Sequence, residues 1–494
     1  MRAPPAQGAT YASLSRRFAR LTFLNILANL TIPLTGLVDT AMLGHLDDIR
    51  FLGGVALGSV LFDYLYWSFG FLRMGTTGMT ALAVGRGDTR AAFLVLYRSL
   101  AIGVVVAAAV LLLREPLGQL GFAILSGTDA VEHAGRGYFD ARVLGAPAAF
   151  CNLAFFGWFL GREESGRALV IAVIGNTVNI VLNYVFIVRL GLAAWGAGLA
   201  SALGQYATLS VALALFALLA LRDASARCGI REVLDLSRMR SLLRLNADIL
   251  VRTVCLITAF ALFTNASSLL GTAFLVANAV LLRVLTTVAY LVDGVAFATE
   301  SLAGLLRGRR DLPGIQRLLR LALACGGGFS ILLLGAVLAA PGAVYGLLTS
   351  HEDVVAMATR YGIWLVPVLL LGAPAYVFDG LFLGLTEGRV LRNSMLLATG
   401  LVFLPLAVLA VATGANHLLW LAMTGFMAAR TATLARAASE RLAEWRAETI
   451  DADAVGAWEN RRARSRTRRR SRAGSAILAA MDAGLRHSQT VRRS

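Results

Sequence analysis

Asn29-Leu-Thr-Ile-Pro-Leu-Thr-Gly-Leu-Val-Asp39-Thr-Ala-Met-Leu-Gly44 decides how this chain is read. The run is apolar enough to enter a bilayer, yet it holds a carboxylate at Asp39. An ionisable group at membrane depth costs roughly 2.5–3.5 kcal/mol on insertion scales, so it faces the protein interior and marks function. Pro33 stands upstream of it in the same run. A proline removes the amide donor that would bond one turn back, and it kinks a helix. A bent, acidic first membrane helix points to a site that binds and releases a proton or a cation.

Composition supports the membrane reading. Of 494 residues, 57% are hydrophobic and 15% charged, and the mean hydropathy is +0.70. Globular domains sit near ~45–50% apolar and ~25% charged. A spanning helix takes about 20 apolar residues, and the body of the chain has room for about twelve. Met1–Arg20 carries Arg16, Arg17 and Arg20 without the short apolar core and cleavage site of a removable signal peptide. The formal charge is +17 and every basic residue is arginine. Orientation of membrane turns accounts for that charge better than nucleic-acid binding does. Cys151, Cys228, Cys255 and Cys325 lack the paired spacing of a zinc site or a disulfide framework.

Apolar runs and polar turns place spans near 20–44, 51–83, 91–113, 138–160, 168–188, 195–221, 245–269, 273–305, 316–340, 354–385, 391–412 and 416–441. The turns after even-numbered spans carry Arg86, Arg90, Arg162, Arg167, Arg307, Arg309, Arg310, Arg317, Arg320, Arg389 and Arg392, besides six arginines between 222 and 244. The opposite turns carry only Arg50, Arg114, Arg136, Arg189 and Arg360. This asymmetry puts the even turns and both termini in the cytoplasm of a cell with the protein in its inner membrane. The expected divisions are a cytoplasmic start (1–19), a first lobe (20–221), a basic linker (222–244), a second lobe (245–442) and a tail (443–494). The tail holds Arg461-Arg-Ala-Arg-Ser-Arg-Thr-Arg-Arg-Arg-Ser-Arg472, a charge block with no apolar period. It is expected to be disordered and to meet anionic lipid headgroups.

The fourth and tenth spans repeat one text. Leu144-Gly-Ala-Pro147 matches Leu371-Gly-Ala-Pro374; in the same register Phe155 meets Phe382, Gly157 meets Gly384, Gly161 meets Gly388 and Arg162 meets Arg389. An even number of spans separates the copies, so the two halves share one orientation. The implied fold is all-α: two six-helix bundles related by an axis along the membrane normal, which rock about a cavity between them.

Several polar side chains lie inside these spans. Asn176, Asn179 and Asn183 recur at helical spacing on one face of the fifth, with Ser201 and Gln205 on the sixth as partners. The second half holds Asp293 and Glu300 on the eighth span and Asp379 on the tenth, candidates for a second cation or substrate site. Asp379 occupies the repeat position of Asn152. Asp248 and Arg252 are spaced to pair, and Asp63 and Arg73 offer an ion pair or gate. Met74, Met79 and several phenylalanines suit a soft cavity for lipophilic cations, or ordinary packing. His45, His133, His351, His417 and His487 are dispersed, and no phosphate-cradling Gly-Lys-Ser/Thr loop occurs. Neither an enzyme, a metal nor a cofactor is indicated, and ATP is not the evident energy source.

At this point the motifs resemble a known family. Asn29 to His45, Phe69-Gly-Phe-Leu-Arg-Met-Gly-Thr-Thr-Gly78, Asp293-Gly-Val-Ala-Phe-Ala-Thr-Glu300, Asp379-Gly-Leu-Phe-Leu-Gly384 and Arg389-Val-Leu-Arg-Asn-Ser394 are similar to the DinF branch of the multidrug and toxic compound extrusion (MATE) family. The likeness covers about residues 15–440. It implies twelve helices in two lobes with a V-shaped opening, and cation-coupled antiport of drugs. By motif position Asp39 would be the first-helix aspartate whose protonation bends that helix at Pro33. Asn179 and Ser201 would belong to the same site. Asn183 falls where some relatives carry a second aspartate, which favours a proton over sodium as the coupling ion. Asp379 corresponds to an aspartate used for cation binding in another branch.

The sequence thus predicts a monomeric antiporter exporting lipophilic, cationic small molecules against inward proton flow, with sodium as the alternative coupling ion. A lipid-linked precursor flippase is the alternative; it needs a cationic cavity, for which Arg73, Arg252 and Arg283 are available. A membrane prenyltransferase would need paired Asp-rich magnesium motifs, and Asp47-Asp48 alone does not supply them.

Overall fold

The computed structural model describes residues 11–46, 48, 50–125, 128–349 and 351–447. For Tyr11, residues 32–35, Leu37 and Asp39 it describes the backbone alone. The side chains of Pro33 and Asp39, Asp47, and the tail from 448 therefore lie outside the described residues, together with what was expected of them.

Among the described residues all regular structure is helical. The helices are α1 (Tyr11–Gly44), α2 (Arg50–Ser68), α3 (Phe71–Gly85), α4 (Thr89–Leu112), α5 (Arg114–Ile124), α6 (Asp129–Val143), α7 (Ala146–Gly161), α8 (Ser165–Asn183) and α9 (Ala193–Ala220). The second half follows as α10 (Ile230–Val233), α11 (Leu236–Leu270), α12 (Thr272–Gly308), α13 (Leu312–Ala339), α14 (Pro341–Gly346), α15 (Glu352–Tyr361), α16 (Leu365–Gly384), α17 (Gly388–Leu397), α18 (Leu404–Thr413) and α19 (Asn416–Ala447). Ten segments are long and apolar enough to cross a membrane, or 11 if the bent pair α6–α7 is one span. That count leaves out α1, whose 34 residues are ample for a crossing. Contacts group the chain up to Arg436 into one compact unit and the residues from Ala437 into another. Within the second, Arg441 bonds Glu444 at 2.8 Å.

Several expected spans are broken where local chemistry allows. The second is α2 plus α3, joined at Phe69-Gly70 by tight bonds from Gly70 N to Trp67 O and from Arg73 N to Gly70 O, 3.0 and 3.1 Å. The fourth bends by 56° between α6 and α7. Pro147 sits in the first turn of α7, where its missing amide costs nothing. The repeat copy behaves differently: α16 continues without a break past Pro374. The break in that half falls earlier, in a short 3-10 turn at Gly362–Trp364. Two π-helical turns, Tyr184–Arg189 after α8 and Ala398–Phe403 before α18, replace regular α-helix in the fifth and eleventh spans. Such turns occur often at functional sites.

The basic linker is shorter than expected. α11 starts at Leu236, because Asp235 accepts from Ser237 N and Arg238 N at 2.9 and 3.2 Å. The residues before it are tied to α4. Tyr97 donates to Ala226 O at 2.8 Å, Arg98 to Val233 O at 3.1 Å and to Glu232 O, and Arg90 pairs with Glu232 at 2.8 Å.

Each half has its own packed core. Phe93, Phe155, Trp158, Phe159 and Ile171 fill the first; Phe263, Leu281, Trp420, Phe426 and Met427 belong to the second. Lipid tails are as apolar as these side chains, so close packing and buried hydrogen bonds hold the helices together. Trp158 donates to Ala92 O at 2.9 Å. Asn278, fully buried, bonds Ser267, Asn416 and Trp420 at 2.8, 2.8 and 2.9 Å.

Candidate functional site

The halves meet most closely along α3 and α12. A Cβ on Gly85 would strike the Leu305 carbonyl and lie 2.9 Å from Gly308 Cα; one on Gly308 would lie 2.7 Å from Gly85 Cα. Only glycine permits this approach. Both glycines open matching turns. Gly85-Arg-Gly-Asp88 and Gly308-Arg-Arg-Asp311 each hold a left-handed residue, Gly87 at φ 74° and Arg310 at φ 58°. Each ends on an aspartate that caps the next helix, through Ala91 N at 2.8 Å and Gly314 N at 2.9 Å. Repeat mates therefore touch one another across the seam.

Further along the same helices, Arg73 on α3 meets Glu300 on α12 at 3.3 Å. Its guanidinium also lies 3.9 Å from the Phe297 ring centroid. Glu300 is buried to 1% exposure. Ser301 donates to Leu160 O of α7 at 2.5 Å, a second tie between the halves. Arg73 does not pair with Asp63 as expected. Asp63 is exposed on α2, and the charge acting on it is that of Arg142.

Asp379 sits between two arginines. Arg252 of α11 and Arg430 of α19 both donate to its Oδ2, the latter at 2.7 Å, and all three side chains are buried. Arg252 also approaches Met74 Sδ of α3 at 3.9 Å. The expected Asp248–Arg252 pair is replaced: Asp248 takes Arg392 at 2.7 Å. Asp293, half-buried on α12, lies in the field of Arg73, Arg252, Asp379 and Arg430. Arg430 was not anticipated, although a lone arginine inside an apolar span is a signal the sequence does carry.

In the first half the polar face of α8 is linked on both sides. Asn176 donates to Thr31 Oγ1 of α1 at 2.7 Å, Asn179 to Ser201 of α9 at 3.4 Å, and Asn183 to Asn179 at 3.3 Å. Asn179 and Asn183 are buried, and the π-turn starts at the next residue. Gln205 turns elsewhere, accepting from Asn152 at 3.0 Å. α1 is fixed to α12 as well, by Asn29 donating to Tyr290 O at 3.4 Å. These two bonds and the Arg17–Glu163 ion pair all hold α1 before Pro33, and Asp39 follows it. No group of three or more His, Cys, Asp or Glu side chains suited to a metal occurs among the described residues.

A chain of many membrane spans, built as two related halves with ionic contacts where they meet, is a multi-span membrane transporter in class. The sequence pattern of the MatE family matches residues 25–185 and again 249–409. The chain belongs to the MatE family of multidrug and toxic compound extrusion transporters. It is 36% identical over 449 residues to the DNA damage-inducible protein F of Escherichia coli K12, covering 87% of this chain and 96% of that one. It is 24% identical to the chloroplastic protein DETOXIFICATION 44 of Arabidopsis thaliana, covering 84% and 80% of the two chains. A MOP superfamily transporter from Pyrococcus furiosus superposes with a TM-score of 0.79 at 19% identity, covering 88% of this chain and 97% of that one. A MATE structure in the bent conformation gives 0.78 at 19%, covering 90% and 100%. These two likenesses bear on the fold.

Proposed function

We propose that this transporter exports lipophilic, cationic compounds in exchange for protons taken up at Asp39, from an inner membrane with both termini in the cytoplasm. The observation that carries the reading is the polar face of α8, where Asn176 bonds Thr31 of α1 and, one turn on, Asn179 bonds Ser201 of α9 and accepts from Asn183. The first of these bonds ties the anchored part of α1 to this face, which leads into a π-turn. Pro33 leaves the Asn29 carbonyl without its helical donor, so α1 has a weak point just beyond these anchors. Burial disfavours a charged carboxylate. A proton on Asp39 therefore favours a different packing of the helix beyond Pro33 than an ionised Asp39 does, and that difference shifts a two-state equilibrium. One charge moved through 100 mV supplies about 2.3 kcal/mol.

A proton suits this half better than sodium, since Asn183 brings no second negative charge. In the second half, Asp379 already holds two guanidinium groups, which opposes a sodium ion there. Asp293, less buried than Glu300 and Asp379, is the better contact for a cationic substrate, and Glu300 serves to hold Arg73. Family membership favours small-molecule export over flipping of a lipid-linked precursor, and transport over enzymatic turnover. No cofactor is needed beyond the coupling ion, and one chain contains the whole site. Uptake of a fluorescent lipophilic cation into proteoliposomes tests the reading. An outward-directed proton gradient should drive it and a sodium gradient at equal pH should not; the reverse result would refute proton coupling.

A further inference from the structure

A groove of about 260 Å³ opens between α11 and α12, apart from the contacts between the halves. Phe260, Leu275 and Leu282 make its walls apolar, while Ser267 and Asn278 give it a polar end. Arg283 stands on its lining about three turns into α12, exposed, with no ion pair among the described residues. Ser267 and Asn278 are already bonded to each other. The unmatched group in the groove is thus a single positive charge. An uncompensated arginine at membrane depth is costly and points to a cavity or a ligand. Arg283, Thr286, Tyr290 and Asp293 follow one another at helical spacing on α12, and Tyr290 lies in the field of both Arg283 and Asp63 of α2.

We propose that this groove is a binding subsite for the anionic head of an amphiphile. A carboxylate, sulfonate or phosphate would be held by the Arg283 fork, with its apolar chain against Phe260, Leu275 and Leu282. Arginine suits a planar or tetrahedral oxyanion, and a mostly apolar groove with one placed charge suits a molecule with one charged end. The ligand source is either an exported solute or a bilayer phospholipid, which share this chemistry. The subsite goes beyond the cation reading and does not rest on it, since binding is measured at equilibrium without a gradient.

The test is binding of tritiated decanesulfonate to the full-length purified transporter in a neutral maltoside. Arg283→Gln should weaken binding at least tenfold at unchanged thermal stability, and Arg283→Lys should restore most of it. Ala279→Phe, which fills the groove and keeps the arginine, should also weaken it. Uncharged decanol should compete poorly. Gradient-driven uptake of decanesulfonate into proteoliposomes would identify a solute site; displacement by dihexanoylphosphatidylglycerol without uptake would identify a lipid headgroup site. Equal binding by the parent and Arg283→Gln, or equal competition by decanol, would overturn the proposal.

Discussion

Asp379 shows what a single carboxylate does when two buried arginines depend on it. Removing one partner of a buried ion pair costs roughly 3–5 kcal/mol, because the remaining charge is left uncompensated. Asp379→Asn should therefore lower the melting temperature in detergent sharply, and more than Asp293→Asn does, since Asp293 is only half-buried. A cation-binding role for Asp379 predicts the opposite pattern: lost cation binding with stability retained. Asn176 offers a milder case. Asn176→Ala removes one hydrogen bond to Thr31, and interhelical bonds in membranes average about 0.6 kcal/mol. Stability should barely change, whereas the apparent pKa of transport should move if the α1–α8 tie sets the state of Asp39. The partners of Asp379 were hidden in the sequence for a plain reason. Arg430 stands far along the chain on α19, and helical spacing reports neighbours on one helix only. The same spacing suggested Asp248 with Arg252, and tertiary packing separated them.

At the scale of elements, periodicity and composition gave the spans and the repeat, and the family resemblance gave the fold. Breaks within spans were less legible. Leu144-Gly-Ala-Pro147 interrupts its helix and Leu371-Gly-Ala-Pro374 lies within one, so identical text took two shapes. The linker is an element with its own test. Arg98 is buried and donates to two linker carbonyls, whereas Arg90 and Glu232 are exposed. Arg98→Gln should raise amide exchange across 226–234 several-fold. Arg90→Gln should do little, since solvent screens an exposed pair. The hydrogen bond from Arg90 holds the Glu232 carboxyl below its ordinary range. A depressed carboxylate stabilises above its ordinary pKa of about 4.3 and loses that contribution as pH falls through the lower folded value. Linker protection, corrected for intrinsic exchange, should thus be level from pH 7 to about 5, and the loss in stronger acid should be no larger than that of Arg90→Gln.

For the whole molecule, we propose that the Gly85–Gly308 contact and the Arg73–Glu300 pair, both between α3 and α12, form one closure between the halves. In the proposed orientation it lies on the cytoplasmic side, so export requires it to open. Overpacking a close contact costs typically 1–3 kcal/mol. Gly308→Ala should shift the population toward the state open at that end, read as faster labelling of a cysteine placed at Ala81; unchanged labelling would count against the closure. Arg73→Met alone leaves Glu300 buried and unpaired, while Arg73→Met with Glu300→Leu removes both charges. The double variant should be the more stable of the two and should also label faster than the parent.

The account depends on Asp39 exchanging a proton as the halves alternate. Asp39→Asn, which keeps size and removes the titration, gives the most direct measurement: substrate-coupled proton flux in proteoliposomes loaded with a pH dye. The variant should fold and bind the fluorescent cation yet show no coupled proton movement. Proton flux at the parental rate from a well-folded Asp39→Asn protein would contradict the account.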